Sequence, residues 1–232
     1  MDKHTERSLA GIELLASLSE SDRQAIEERC LWRRFAANKQ IIDQYCDSRD
    51  VFFVCSGAVR VVVYSLSGRE ISFDDIKTGG MFGELAAIDG EPRSANVVAL
   101  ADTVVAILPQ EAFRHAIGRN PKLALPIMQR LVWMLRTAND RIMDLSVLGA
   151  NNRVMAELLR EARPNVRDDN TAVITPIPIH ADMASRASTT RETVARVMSQ
   201  LGKKALVKRQ SDALVVLDFD RLEEMVEEFK ML

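Results

Sequence analysis

The sequence predicts an α+β chain: a strand-rich first part, then one long helix, then a smaller, mostly helical part that closes on a hairpin and a last helix. Three observations carry this. Short β-branched runs alternate with turn residues from Trp32 to Leu108, and apolar residues recur at helical spacing from about Pro121 to Leu148. Beyond Gly149 helical patterns resume and end on a hairpin pattern, Lys208 to Leu217. The 232 residues exceed one ordinary domain and fall short of two large ones. A composition of 47% hydrophobic and 28% charged residues excludes disordered, collagen-like and low-complexity classes. No run approaches the roughly 20 apolar residues of a membrane span. Met1 to Ala10 is charged and has no apolar signal core, so neither membrane insertion nor secretion is expected, and the cytoplasm is the expected location.

Taken in order, Leu14 to Cys30 reads as a short amphipathic helix capped by Ser19 or Ser21, with Leu18, Ile26 and Cys30 on one face. Six strands follow: Lys39 to Ile42, Val51 to Cys55, Ala58 to Tyr64, Ile71 to Asp74, Ala95 to Ala99 and Thr103 to Leu108. The turn signals between them are Cys55-Ser56-Gly57, Ser67-Gly68, Gly79-Gly80 and Asp89-Gly90. Strands this short and this regularly spaced suggest a small β-barrel or roll. Gln110 to Ile117 is a brief helix and Asn120-Pro121 a break. In the long helix, Met128, Leu131, Leu135, Ala138, Ile142 and Leu145 step by 3, 4, 3, 4, 3, an a/d heptad seam. Such a stripe needs a cover, either the chain's own β-domain or, as favoured here, a second copy in a parallel coiled coil. Ile127, Val132 and Met134 flank the seam and are expected to rest on the β-roll.

Gly149 to Asn152 reads as a hinge. Arg153 to Arg163 is helical, Pro164 to Asn170 a polar loop, and Ala172 to Ile177 an edge strand limited by Pro176 and Pro178. Two helices follow closely, His180 to Arg186 and Arg191 to Gly202, the second opened by Ser188-Thr189-Thr190 and closed by Gly202. After the hairpin, with its turn at Ser211-Asp212, a helix from Phe219 to Phe229 is capped by Asp218 or Asp220 and buries Leu222, Met225, Val226 and Phe229. The net charge of −2 hides a strong local contrast. From Ile179 to Gln210 seven basic residues face two acidic ones, a balance of +5, and from Ser211 onward the balance is −5. A basic helix pair followed by a basic hairpin is the electrostatic footprint of a winged helix-turn-helix; the plainer reading is a solvated basic face.

The sharpest local signal is Phe82-Gly83-Glu84-Leu85-Ala86 followed by Pro92-Arg93-Ser94-Ala95. This FGELA-x5-PRSA pattern resembles the phosphate-binding cassette of cyclic-nucleotide-binding domains, including those of the CRP/FNR regulators. The alternative is a surface ion pair between Glu84 and Arg93. The resemblance implies that a short helix beginning near Gly83 directs backbone N–H groups at a cyclic phosphate and that Arg93 gives it a planar donor fork. It further implies that Glu84 accepts from the ribose 2′-OH, that Ser94 contacts phosphate or base, and that Leu85 and Ala95 line the pocket. Thr189-Thr190-Arg191-Glu192-Thr193-Val194-Ala195-Arg196 resembles the recognition helix of the CRP branch, and the resemblance covers about Leu14 to Leu217. It implies that Arg191 and Arg196 donate to guanine, that Glu192 accepts from cytosine, that Thr189, Thr190 and Thr193 meet phosphates, and that half-sites are similar to TGTGA.

The chain also departs from the family. Ser188 stands where the turn glycine is usual and Arg186 where an apolar residue is common, so the packing between the two helices is expected to differ. Ala138-Asn139, with Thr137 before them, replace the Thr-Ser that reads the purine, which leaves cAMP or cGMP open as the ligand. Cys30, Cys46 and Cys55 lack metal spacing and read as buried reduced thiols; none of the histidines, His4, His115 and His180, lies within the cassette, and His115 and His180 read as ordinary partly exposed residues. Metal, haem and iron–sulfur clusters are therefore not expected. The expectation is a non-enzymatic, homodimeric, cyclic-nucleotide-dependent regulator that binds palindromic double-stranded DNA, with RNA polymerase as a partner. Its units are a jelly-roll-like nucleotide-binding domain over residues 1–120, a dimerisation helix over 121–148, and a winged helix-turn-helix with an extra helix over 149–232. Two alternatives use the same cassette: a regulatory subunit of a partner enzyme, and a constitutive DNA binder with a vestigial ligand site.

Overall fold

The computed structural model describes residues 7–65 and 70–229, and the chain divides into two compact units, Met1–Met134 and Leu135–Leu232. The turn expected at Ser67-Gly68 lies outside the described residues, as does His4.

The first unit holds strands β1 (Leu31–Phe35), β2 (Gln40–Ile42), β3 (Val51–Ser56), β4 (Ala58–Tyr64), β5 (Glu70–Lys77), β6 (Met81–Phe82), β7 (Asn96–Ala99) and β8 (Thr103–Leu108). They form two four-stranded antiparallel sheets, β1-β8-β3-β6 and β2-β7-β4-β5. Strand β8 is buried at every position because its alternating side chains serve two cores. Val105 and Ile107 join Ile42, Phe52, Val54, Val59, Ile76, Phe82 and Val97 in one core. Ala106 and Leu108 join Val51, Phe53, Leu15, Ile26, Phe113 and Ile127 in the other. A continuous apolar run with no polar alternation, Val104 to Leu108, is the signature of this two-sided burial. Two strands escaped the sequence reading. Arg33 and Arg34 break the apolar alternation of β1, and β6 is only two residues long.

The helices of this unit are α1 (Glu20–Glu27), α2 (Glu84–Asp89), α3 (Gln110–Arg119) and the start of α4 (Ala124–Val147). The single helix expected over Leu14 to Cys30 is instead a 3-10 turn at Glu13–Leu15 and then α1, because Ser19 is the cap: its Oγ accepts from Asp22 N at 3.1 Å. Along α4 Ile127 is buried and Leu131 and Met134 partly so, but Val132 is exposed rather than resting on the roll. The seam residues Met128, Leu135, Ile142 and Leu145 are each more than half exposed. Of the cysteines only Cys30 is buried; Cys46 and Cys55 are partly exposed, and all three are free.

The second unit continues α4 and adds α5 (Ala150–Ala162), β9 (Ala172–Ile174), α6 (His180–Arg186), α7 (Arg191–Lys203), β10 (Val207–Gln210), β11 (Ala213–Val216) and α8 (Phe219–Glu227). The sheet order β10-β11-β9 leaves β9 at an edge, and the strand ends at Ile174, short of the expected Ile177, before Pro176 and Pro178. Only Leu148 and Gly149 interrupt the helix. Gly149 is the N-cap of α5, so Asn151 and Asn152 are helical rather than part of the break. Arg141 pairs with Glu157 at 3.5 Å, and Arg160 bonds both Glu157 and Asp144, which joins the end of α4 to α5 across this break. Glycine 202 does not end α7; the helix runs to Lys203, and Ala205 takes the left-handed turn with φ 55°. Asp218 caps α8 by accepting from Arg221 N at 3.0 Å, and Phe219 rather than Phe229 fills the core.

Candidate functional site

All eight cassette residues, Phe82, Gly83, Glu84, Leu85, Ala86, Arg93, Ser94 and Ala95, line one cavity of about 80 Å³ in the first unit. The local fold explains their convergence. Strand β6 ends at Phe82, Gly83 turns with φ 83°, and α2 begins at Glu84 with no side-chain cap on its first N–H groups. A Cβ at Gly83 would stand 2.8 Å from both Arg93 Nη1 and Asp50 O, so only glycine fits this approach.

Arg93 is 5% exposed, yet it forms no ion pair with Glu84. Its Nη1 donates to Gly83 O at 2.9 Å, and its Nη2 to Ser48 Oγ at 3.0 Å and Asp50 O at 2.8 Å. Its Nε is buried without a hydrogen-bond partner. The guanidinium lies 5.7 Å from the centre of the Phe52 ring, which stacks on Phe82 at 4.9 Å. Burial pulls its pKa down from the usual value, and Cys46, Asp50 and Glu84 oppose this. A buried guanidinium held by two carbonyls and a hydroxyl carries a positive charge that no hydrogen-bonded carboxylate balances. Such a group is poised for an anion that enters the cavity.

Glu84, 3% exposed, is engaged by the long helix instead: Arg130 Nε donates to its Oε1 at 3.4 Å, and Arg130 Nη2 lies 3.7 Å from Asp74 Oδ2. Arg130 and Met134 of α4 line the cavity together with Asp74 and Phe73 of β5. Sequence reasoning missed Arg130 and Met134, and also Ser48 and Asp50, which hold Arg93. Ile127, Arg130 and Met134 step by 3 and 4 along one helix face, and a charged residue within that apolar row was the available signal. The candidate base readers Thr137, Ala138 and Asn139 lie on α4 in the second unit, Thr137 partly buried and the other two exposed.

In the second unit α6, a short turn and α7 form the helix pair, with β10 and β11 as the hairpin behind it. Ser188 adopts φ 50°, taking the left-handed conformation that the usual glycine would supply. Arg186 turns onto Glu161 rather than into the core. Arg153 fixes the turn: Nε donates to Ala187 O at 2.9 Å, Nη2 to Ser188 O at 3.0 Å and Nη1 to Leu148 O at 2.9 Å. Val194, Val197 and Leu201 face the core, which presents Arg191, Glu192 and Arg196 to solvent on the opposite side. Thr190 caps α7, its Oγ1 accepting from Thr193 N at 3.3 Å, while Thr193 itself is buried and Thr189 partly so. A hydrogen bond with its own backbone, and another with the Thr190 hydroxyl, hold the Glu192 carboxyl below its ordinary pKa, so it is an acceptor at neutral pH. Lys208 and Arg209 of the hairpin are exposed.

Comparison with known proteins agrees with both halves of this geometry. Residues 32–120 match the family model of the cyclic nucleotide-binding domain, and residues 152–225 that of the Crp-like helix-turn-helix domain. The cyclic AMP receptor protein of Thermus thermophilus is 31% identical over 197 residues, which cover 83% of this chain and 87% of that protein. The cAMP-activated global transcriptional regulator CRP of Salmonella typhimurium is 23% identical over 189 residues, 81% of this chain and 90% of that protein. Among solved structures, a CooA mutant from Carboxydothermus hydrogenoformans superposes with a TM-score of 0.78 at 20% identity, covering 92% of this chain and 94% of that one.

Proposed function

Because the chain belongs to the CRP/FNR family of cyclic-nucleotide-binding, DNA-binding transcriptional regulators, which are not enzymes, we propose that it is a homodimer that binds cAMP and thereby recognises a palindromic operator. The observation that carries the ligand reading is the buried Arg93 with an unpaired Nε, set beside a glycine that no other residue could replace. A cyclic phosphate accepts from the Arg93 fork and from the uncapped N–H groups at the start of α2. The ribose 2′-OH donates to Glu84, in competition with Arg130, so ligand entry redistributes the Arg130 contact between Glu84 and Asp74. Leu85 and Ala95 pack against the sugar and base, and Ser94 bonds phosphate or base. Thr137, Ala138 and Asn139 select the purine, with Asn139 able to donate or accept, which favours cAMP while admitting cGMP.

The heptad seam supports the dimer. Met128, Leu135, Ile142 and Leu145 expose large apolar surface at coiled-coil spacing, which a second copy of α4 would cover. A two-fold dimer presents two α7 helices to successive major grooves about 34 Å apart. There Arg191 and Arg196 read guanine, Glu192 reads cytosine, and Thr189, Thr190 and Thr193 are assigned to phosphates. At a promoter the bound dimer is expected to contact RNA polymerase. Parallel calorimetric titrations with cAMP and cGMP test the ligand reading, and sedimentation of the free protein tests the dimer. No heat from either nucleotide at millimolar concentration would overturn the first reading, and a monomer at micromolar concentration the second.

A further inference from the structure

The guanidinium of Arg93 has a neighbour besides the cavity, reached through its Nη2. Ser48 Oγ, which accepts from Arg93 Nη2 at 3.0 Å, lies 3.5 Å from the sulfur of Cys46. The chain closes tightly here: Cys46 N donates to Asp43 O at 3.0 Å, and Asp50 O accepts from the same Arg93 nitrogen at 2.8 Å. The thiol, a serine hydroxyl and the buried guanidinium therefore form one short chain of contacts, and Cys46 remains partly open to solvent.

The three cysteines differ in chemistry. Burial above all pushes the Cys30 thiol up to about 12 and the Cys55 thiol to about 11. Burial acts on Cys46 in the same direction, but hydrogen bonds with Ser48 and Asp43 and the charge of Arg93 outweigh it, so its thiol sits below the ordinary value. The thiolate is the reactive form, and Cys46 is the one of the three whose surroundings favour it, so it is the cysteine expected to react with oxidants first.

We propose that Cys46 is a peroxide-sensitive modification site that controls the access of the cyclic phosphate to Arg93. The proposal rests on the nucleotide reading above. The Cys46 thiolate attacks one oxygen of hydrogen peroxide; an S–O bond forms, the O–O bond breaks, and hydroxide leaves and takes a proton from the solvent. Sulfur gives up two electrons to the peroxide and becomes a sulfenic acid. Its oxygen accepts from the Arg93 donors that the phosphate requires, so oxidation weakens nucleotide binding. Linkage makes the effect reciprocal: a phosphate on Arg93 neutralises the charge that favours the thiolate, so bound nucleotide slows the oxidation of Cys46.

The test uses full-length reduced protein and its Cys46→Ser variant, exposed to hydrogen peroxide with and without cAMP. Sulfenic acid is trapped with dimedone and located by peptide mass spectrometry, and cAMP affinity is measured before and after. The expected result is an adduct on Cys46 ahead of Cys30 and Cys55, formed more slowly with cAMP present. Wild-type cAMP affinity should drop by about tenfold or more, and that of Cys46→Ser should not change. Equal labelling of the three cysteines, unchanged affinity after oxidation, or an equal loss in Cys46→Ser overturns the proposal. If the reduced protein binds no cyclic nucleotide, the pocket reading fails and this control falls with it. Normal binding both before and after oxidation removes only this control.

Discussion

The two candidate sites are built in opposite ways. In the β-roll the functional charges are inside: Arg93 and Glu84 are 5% and 3% exposed, Arg93 bonded to Gly83, Ser48 and Asp50 and Glu84 to Arg130. On α7 they are outside: Arg191, Glu192 and Arg196 stand on the solvent face of a helix whose other face, Val194, Val197 and Leu201, does the folding. The difference follows from the ligands. A small anion is captured by removing it from water, where each preorganised donor is strong, whereas DNA is met by a convex surface that must stay hydrated until contact. It also predicts how mutations partition. Substitutions in the roll should change binding and stability together, and substitutions on α7 should change binding alone.

The largest expected effect is at Arg93. Arg93→Ala removes the anion's fork and should weaken cAMP binding by roughly 2 to 4 kcal/mol, about 30- to 900-fold. Because Ser48 and the Asp50 carbonyl lose their donor, the melting temperature should shift as well. Unchanged nucleotide affinity in calorimetry would remove Arg93 from the site.

Arg191→Ala and Arg196→Ala come next. Each should lose roughly 1 to 3 kcal/mol of discrimination against a changed guanine in a half-site similar to TGTGA, with melting unchanged. A drop in melting temperature, or no change in base preference in competition gel shifts, would break the contrast between the sites.

Asn139→Ala sharpens it. It should reduce the nucleotide dependence of DNA binding more than it reduces nucleotide binding, and cGMP should bind wild type within roughly a hundredfold of cAMP, under about 2.7 kcal/mol. If Asn139→Ala leaves that dependence intact, Thr137 is the next candidate for purine recognition. The smallest effect is at the turn. Ser188→Gly relieves a left-handed serine and should raise stability by about 0.5 to 1 kcal/mol in denaturant unfolding without altering DNA affinity, and a destabilised variant would contradict the strain argument.

What the sequence made legible follows the same division. The cassette was readable because its residues fall in two short runs five residues apart and its chemistry demands particular types: a glycine at φ 83°, a planar donor, a carboxylate. The recognition helix was readable from its 3.6-residue period and the charge reversal after Gln210. Ser48 and Asp50 were not readable, because their roles arise only when segments distant in sequence meet around Arg93, and Arg130, which reaches Glu84 from α4, left only the signal of a charge within an apolar helix row. Element ends failed where one local interaction outweighed the pattern. The Ser19 cap split the first helix, Gly149 rather than Asn152 set the start of α5, and Ala205 took the turn assigned to Gly202.

The central claim, that a cyclic nucleotide held in the roll governs DNA recognition by α7, is tested most directly by fluorescence anisotropy of a labelled operator with two half-sites similar to TGTGA. Saturating cAMP should tighten binding by about tenfold or more, within the range usual for coupled sites, and Arg93→Ala should abolish the gain while keeping the nucleotide-free affinity. Equal operator affinity with and without cAMP, in a protein that calorimetry shows to bind cAMP, would contradict the account.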